Sequence, residues 1–266
     1  MRAKFKTGIL LIIIVLFVNV IVSCKNKKQS EPEPAPQKPA VQNSDIMQRQ
    51  LGAQDLLALG LAELNSADKN SIPEYSYNKA LGYFNQVVTN YPTSFESVEA
   101  QHNIAKFTEQ KIKLLNLREI NLRQRQGETL DTIRPFLVPY NQAIIEYIEI
   151  YNKKSNWSSF APERRERAKF ICTNALMQAA KLASDETNSK ADYGKAVDIY
   201  KIVYKEFGDF SNFGDLALFS IVSIYFSQKE WQKVIEYAKI MEDLYPQSIY
   251  TVDVQNRARR AQFNLK

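Results

Sequence analysis

From Asp45 to the C-terminus, apolar residues recur every three or four positions, the spacing that gathers them on one face of an α-helix. No run alternates apolar with polar residues as a half-buried strand does. The clearest stretch is Asp215 to Ser248. Its first part sets Ala217, Leu218, Ile221, Val222 and Tyr225 on one stripe, and the polar residues Ser227 to Glu230 then form a turn. Trp231, Val234, Ala238 and Met241 make the stripe of a second helix, which Pro246 ends because proline lacks the amide donor and its ring collides with the preceding turn. A matching spacing of ring, alanine, ring and aliphatic side chain occurs at Tyr77, Ala80, Phe84 and Val87, followed by Tyr91 and Pro92. It returns at Tyr140, Ala143, Tyr147 and Ile150, and at Tyr193, Ala196, Tyr200, Val203 and then Phe207. The alanine lets two helix axes approach, and the rings fill the space beside it.

First helices are less regular. Ser94 is a candidate N-cap for a helix carrying Ala100, Gln101, Ile104 and Ala105, predicted to run through Leu115 toward Arg125. Asn65 to Glu74 lengthens one turn, and Ser71, Pro73 and Glu74 mark the next start through a Ser-x-x-Glu pattern. Pro135 and Pro139 interrupt the chain before the Tyr140 helix, and Ser184 to Ala191 reads as a polar loop. Glu163, Arg164, Arg165, Glu166 and Arg167 open a mixed-charge helix after Pro162, a pattern that suits a structural face better than a binding one. Tyr250 to Leu265, with Arg257, Arg259 and Arg260 on a polar face, reads as a terminal capping helix. About nine helices are expected in one domain spanning 45–266.

In length and pattern, the Asp215–Ser248 unit resembles the tetratricopeptide repeat of roughly 34 residues. It departs from that family at Val222, where glycine is usual, and at Val234 and Met241, where alanine is usual; a somewhat splayed hairpin is the expected consequence. The resemblance implies an all-α, tetratricopeptide-like helical-hairpin solenoid, an α-α superhelix with a concave face. It also implies that an extended peptide binds along a groove lined by first helices. Carried onto this chain, that groove comprises His102 and Lys106 near one end, Asn174 in the middle, and Phe219, Ser223 and Phe226 near the other. Phe219 and Phe226 lie off the Leu218–Ile221–Tyr225 stripe, so they either face the groove or pack beneath a neighbouring hairpin.

The N-terminus follows a different pattern. Arg2, Lys4 and Lys6 precede an uninterrupted apolar run from Ile9 to Val18, which is short for a membrane span and typical of a secretory signal. Ile21-Val22-Ser23-Cys24 is similar to the bacterial lipobox, which implies cleavage after residue 23 and acylation of Cys24. Several acyl chains on one residue hold a protein stably at a bilayer. Residues 24–44 are rich in Pro, Glu and Lys and carry almost no large apolar side chains, so this segment is expected to be a disordered tether. At polyproline spacing it would reach up to about 60 Å.

These features alter the reading of charge. The whole chain has 35 basic and 29 acidic residues, a net charge of +6, but residues 1–23 contain three basic and no acidic residues, which leaves +3 after cleavage. Export and a modest charge together argue against nucleic acid as a partner. The single histidine, His102, leaves no histidine pair for a metal or a nucleophile–base dyad, so no catalytic residue, metal site or cofactor is expected. No small-molecule substrate is expected either. With Cys24 acylated, Cys172 is a lone thiol in the apolar run Phe170-Ile171-Cys172, which reads as packing.

The Tyr-Pro-x-Ser turns at Tyr91–Ser94 and Tyr245–Ser248 look like those of the lipoprotein family that assists outer-membrane β-barrel assembly (the BamD type). They are also similar to turns in a periplasmic coordinator family that links envelope constriction to peptidoglycan synthesis. The first resemblance, over most of residues 45–265, implies a periplasm-facing scaffold, lipid-anchored in the outer rather than the inner membrane and docked to protein partners of a barrel-assembly complex. The second implies an adaptor for peptidoglycan synthesis or division machinery.

Overall fold

A computed structural model describes residues 51–66, 74–210 and 212–266. The signal-like segment, Cys24, the tether and the Ser71–Pro73 helix start lie outside the described residues. Among the described residues there are ten α-helices and no strand. Nine of the helices have 12 residues or more, and the remaining one is a single turn of 4 residues.

The helices pack in consecutive pairs. Helix α1 (Ala53–Ser66) lies against α2 (Glu74–Asn90), and α3 (Phe95–Gln124) pairs with α5 (Asn141–Asn152) across the short α4 (Leu130–Ile133). Helix α6 (Pro162–Ala183) pairs with α7 (Tyr193–Glu206), α8 (Phe213–Ser227) pairs with α9 (Trp231–Leu244), and α10 (Thr251–Asn264) closes the series. Each pair also packs on the next, which makes the unit from Gln50 to Lys266 a helical-hairpin solenoid. The first helices α1, α3, α6, α8 and α10 touch one another in order, whereas no contact of that extent joins successive second helices. Closer spacing on the first-helix side makes that side the inner one.

Local chemistry explains where the elements begin. The Ser94 hydroxyl accepts a hydrogen bond from the Ser97 amide at 3.1 Å, capping α3 with Glu96 in its first turn. Asp192 caps α7 in the same way through the Lys195 amide at 2.8 Å, and Pro162 opens α6 at a position where its missing amide proton costs nothing. The repeated spacing read from the sequence builds the interior. Ala80, Phe84, Val87, Ala143, Tyr147, Ile150, Ala196, Tyr200 and Val203 are all buried. Val222, Val234 and Met241, which depart from the repeat pattern, are fully enclosed at the α8–α9 interface.

Both Tyr-Pro tyrosines reach back to the start of their own hairpin. The Tyr91 hydroxyl donates to the Leu51 carbonyl at 2.7 Å, just ahead of α1. Tyr245, after α9, sits against Gly208 and Gly214 before and at the start of α8; a Cβ on Gly214 would lie 2.1 Å from its hydroxyl oxygen.

The region around Pro135 departs from a simple interruption. Arg134–Phe136 form a 3₁₀ turn after α4, and Ile133 and Leu137 are buried beneath the stack. A second 3₁₀ segment, Lys153–Ser159, buries Trp157. Three of the charged residues that open α6 are engaged by neighbouring elements. Arg164 pairs with Glu96 at 3.0 Å, Arg167 pairs with Glu99 at 2.7 Å, and Arg165 donates to the carbonyls of Trp157, Ser158 and Phe160.

Candidate functional site

The inner row is widest in chemistry between α3 and α6. Along α3, His102, Lys106, Glu109 and Lys113 share one face, and on α6 Phe170, Ile171, Asn174 and Gln178 face them across an open cleft of about 390 Å³. Its floor is a buried carboxylate. Glu109 is only 6% exposed, and it accepts hydrogen bonds from the Tyr147 hydroxyl and the Gln178 carboxamide, both at 2.7 Å. Lys113, one turn further on, completes an ion pair with it. Three donors thus converge on the two oxygens of one carboxyl group. The network ties α3, α5 and α6 together, so the cleft has a rigid base. Burial, followed by the hydrogen bond to Glu109, pushes the Tyr147 phenol well above its ordinary range.

His102 stands at the rim of this floor, its ring centroid 6.1 Å from that of Tyr147. Its Nδ1 is buried without a hydrogen-bond partner. Burial first, and then the adjacent Lys106 ammonium, lower its pKa to about 4 against the opposing effect of Glu109, so the imidazole is neutral at neutral pH. Lys106 is exposed and makes no ion pair among the described residues. Asn174 is half-buried and donates one amide proton to the Phe170 carbonyl at 3.1 Å.

The hollow continues toward α1. Leu61, Glu99, Asn103 and Arg167 line this second part, and His102, Phe170 and Ile171 belong to both. Phe170 is 49% exposed, with one edge on the Phe213 ring at 6.0 Å. The result is a trough with an apolar wall and scattered amide, ammonium and guanidinium groups. Such a lining can hold apolar side chains while meeting the polar groups of an extended chain.

The structure brings His102, Lys106 and Asn174 together and leaves Phe219, Ser223 and Phe226 elsewhere. All three of the latter are half-buried beneath α10. Phe219 stacks on Tyr250 at 4.7 Å, and Arg257 lies over both the Phe219 and Phe226 rings at 5.0 and 5.7 Å. The Ser223 hydroxyl oxygen accepts a hydrogen bond from Arg257 at 2.8 Å. Phe226 also meets the Trp231 ring at 5.5 Å.

Sequence reasoning overlooked Glu109, Tyr147 and Gln178 as site residues. Glu109 was detectable two turns beyond His102 on the same face, and Gln178 one turn beyond Asn174. Tyr147 carries the repeat spacing, which marks it as packing and conceals its hydroxyl. Cys172 is fully buried, and burial pushes its thiol up to about 12, as expected of a packing residue. Among the described residues, no group of His, Cys, Asp and Glu side chains is placed to hold a metal ion, and no helix is long and apolar enough to cross a membrane. No protein-family model matches this chain, and no curated protein sequence matches it significantly.

Proposed function

We propose that this chain is a lipid-anchored scaffold of the cell envelope that holds a segment of a partner protein along its inner row of helices. The observation that carries the reading is the continuous trough from Leu61 past His102 to Asn174, set on the Glu109–Tyr147–Gln178 base. Its shape suits an extended segment. The exposed Phe170 ring offers a contact for an apolar side chain, and Lys106, Asn103 and Asn174 supply groups for backbone carbonyls or a carboxylate. A rigid base reduces the ordering cost on the scaffold side of the complex. The lipobox-like Cys24 supports the anchoring, with residues 24–44 as the expected tether. The Tyr-Pro-x-Ser turns favour a partner in outer-membrane β-barrel assembly.

A photoreactive residue at Asn174, compared with one at the exposed Lys239 on the second-helix side, tests this in living cells. The expected result is one dominant crosslinked partner from Asn174 alone, lost when Phe170→Asp is added. Depletion of the chain should then lower outer-membrane barrel proteins together. Equal crosslinking from both positions would remove the groove reading. Crosslinks to wall synthases with unchanged barrel proteins would move the partner to peptidoglycan synthesis.

A further inference from the structure

Helix α3 has 30 residues, about twice the 14 of α1, so its C-terminal half extends beyond the hairpin that precedes it. One side of this overhang is braced. The Asn116 carboxamide is 2% exposed and exchanges two hydrogen bonds with Val138, donating to its carbonyl at 3.0 Å and accepting from its amide at 2.8 Å. Further along, Arg123 lies 3.7 Å over the Phe136 ring and pairs with Glu119 and Glu128. Helical geometry turns Leu114, Leu115 and Leu122 away from the braced Asn116 side, by roughly 100–160° around the axis. There, Leu114 is 49% exposed and Leu115 41%, and Leu122 follows at 56%.

Basic residues interleave these leucines. Lys111 and Arg118 line a cleft with Leu114, Leu115, Tyr77 and Phe107, and the two rings stand 4.5 Å apart at its inner end. Among the described residues, no Asp or Glu lines this cleft. Lys111, Arg118 and the more distal Arg125 make no ion pair among the described residues, whereas the Arg123 guanidinium on the braced side has two. An exposed apolar strip flanked by unpaired cations calls for an occupant that is apolar and acidic together.

We propose that the overhang of α3 is a second docking surface, which takes an acidic amphipathic helix from a partner protein. Leucine-like side chains of that helix enter between Tyr77, Leu114 and Leu115, and its carboxylates pair with Lys111 and Arg118. Shape selects a peptide over a membrane. Leu114 and Leu115 of the strip line a cleft walled by Tyr77 and Asn78 of α2, a recess that side chains of a docked helix can enter and a flat bilayer surface cannot. Opposite charge along the strip steers the encounter and sets the register. Among the described residues this surface shares Gln110 with the His102 trough, whereas its leucines and its cations line this surface alone.

The test uses the full-length chain in mild detergent and a synthetic helical peptide with leucines at helical spacing flanked by glutamates. A second peptide has every glutamate replaced by glutamine. Fluorescence anisotropy should show the glutamate peptide binding roughly tenfold or more tightly than the glutamine one, with the difference shrinking as salt rises. Lys111→Gln with Arg118→Gln should erase that preference, and Leu114→Asp should abolish binding. All three side chains lie on an exposed face, so these variants keep the native circular dichroism spectrum. Equal affinity for the two peptides, or a preference that survives the charge substitutions, overturns the proposal. A bimane on Leu122→Cys in the membrane-reconstituted chain provides the other arm. Quenching by brominated acyl chains would assign the strip to the bilayer and also overturn it, whereas unquenched emission that shifts on adding the glutamate peptide supports it.

Discussion

At the scale of single residues, the His102 environment has a consequence for pH. The imidazole titrates near its ordinary 6.5 when the chain is unfolded and near about 4 when folded, because burial and Lys106 both oppose its charge. Between those values the unfolded chain binds more protons, so this residue makes stability rise with pH. Its contribution is fully favourable above the unfolded value and is lost as pH falls through the window toward about 4. Urea titrations between about pH 7 and about pH 4 should show a declining midpoint for the native chain and a shallower decline for His102→Gln. Parallel declines in the two proteins would mean that His102 is not the group responsible. Glu109 faces the opposite situation. Three donors surround it, so its burial is compensated, whereas the Nδ1 of His102 stays unpaired two turns away.

At the scale of elements, close approach between helices rests on a few small residues. Gly60 in the middle of α1 is buried against Phe84 of α2, and a Cβ placed there would lie 2.4 Å from the ring. Helix propensity alone predicts that Gly60→Ala gains about 1 kcal/mol. Packing predicts the opposite, because Phe84 is only 1% exposed and has little room to yield, and overpacking costs about 1–3 kcal/mol. The packing cost is expected to win, giving a net loss of up to about 2 kcal/mol in chemical denaturation. Adding Phe84→Leu should recover part of it, because the collision is with the ring. A gain in stability from Gly60→Ala alone would show that the α1–α2 interface is looser than its geometry indicates.

At the scale of the whole molecule, the interior is divided. Leu56, Leu57, Ala80, Phe84, Val87, Ala100 and Ile104 form a small core between α1, α2 and the start of α3. A larger core runs from Phe95 and Val98 through α5–α9 to Ala261. Stability in stacked hairpins is close to a sum of neighbour terms, so a unit with one neighbour and a small core opens first. Hydrogen exchange should therefore be faster in α1 and α2 than in α6 and α7, with the first half of α3 intermediate because it contributes to both cores. Equal protection along the chain would indicate a single cooperative unit.

The sequence by itself determined the helical class, the pairing of helices and most of the interior, because those depend on short-range spacing. A ring, an alanine and an aliphatic residue at helical intervals have only one way to be buried together. The N-caps at Ser94 and the proline stop after α9 were legible for the same reason. Tertiary structure decided where side chains distant in sequence meet. Glu109, Tyr147 and Gln178 belong to three helices, and no local pattern states that one carboxylate lies beneath two donors. The grouping of His102 with Asn174, and the separation of both from the Phe219–Phe226 pair under Arg257, likewise depend on how far each hairpin turns against the next. That turn is set by the summed fit of many buried side chains, a quantity that no single stretch of the chain contains.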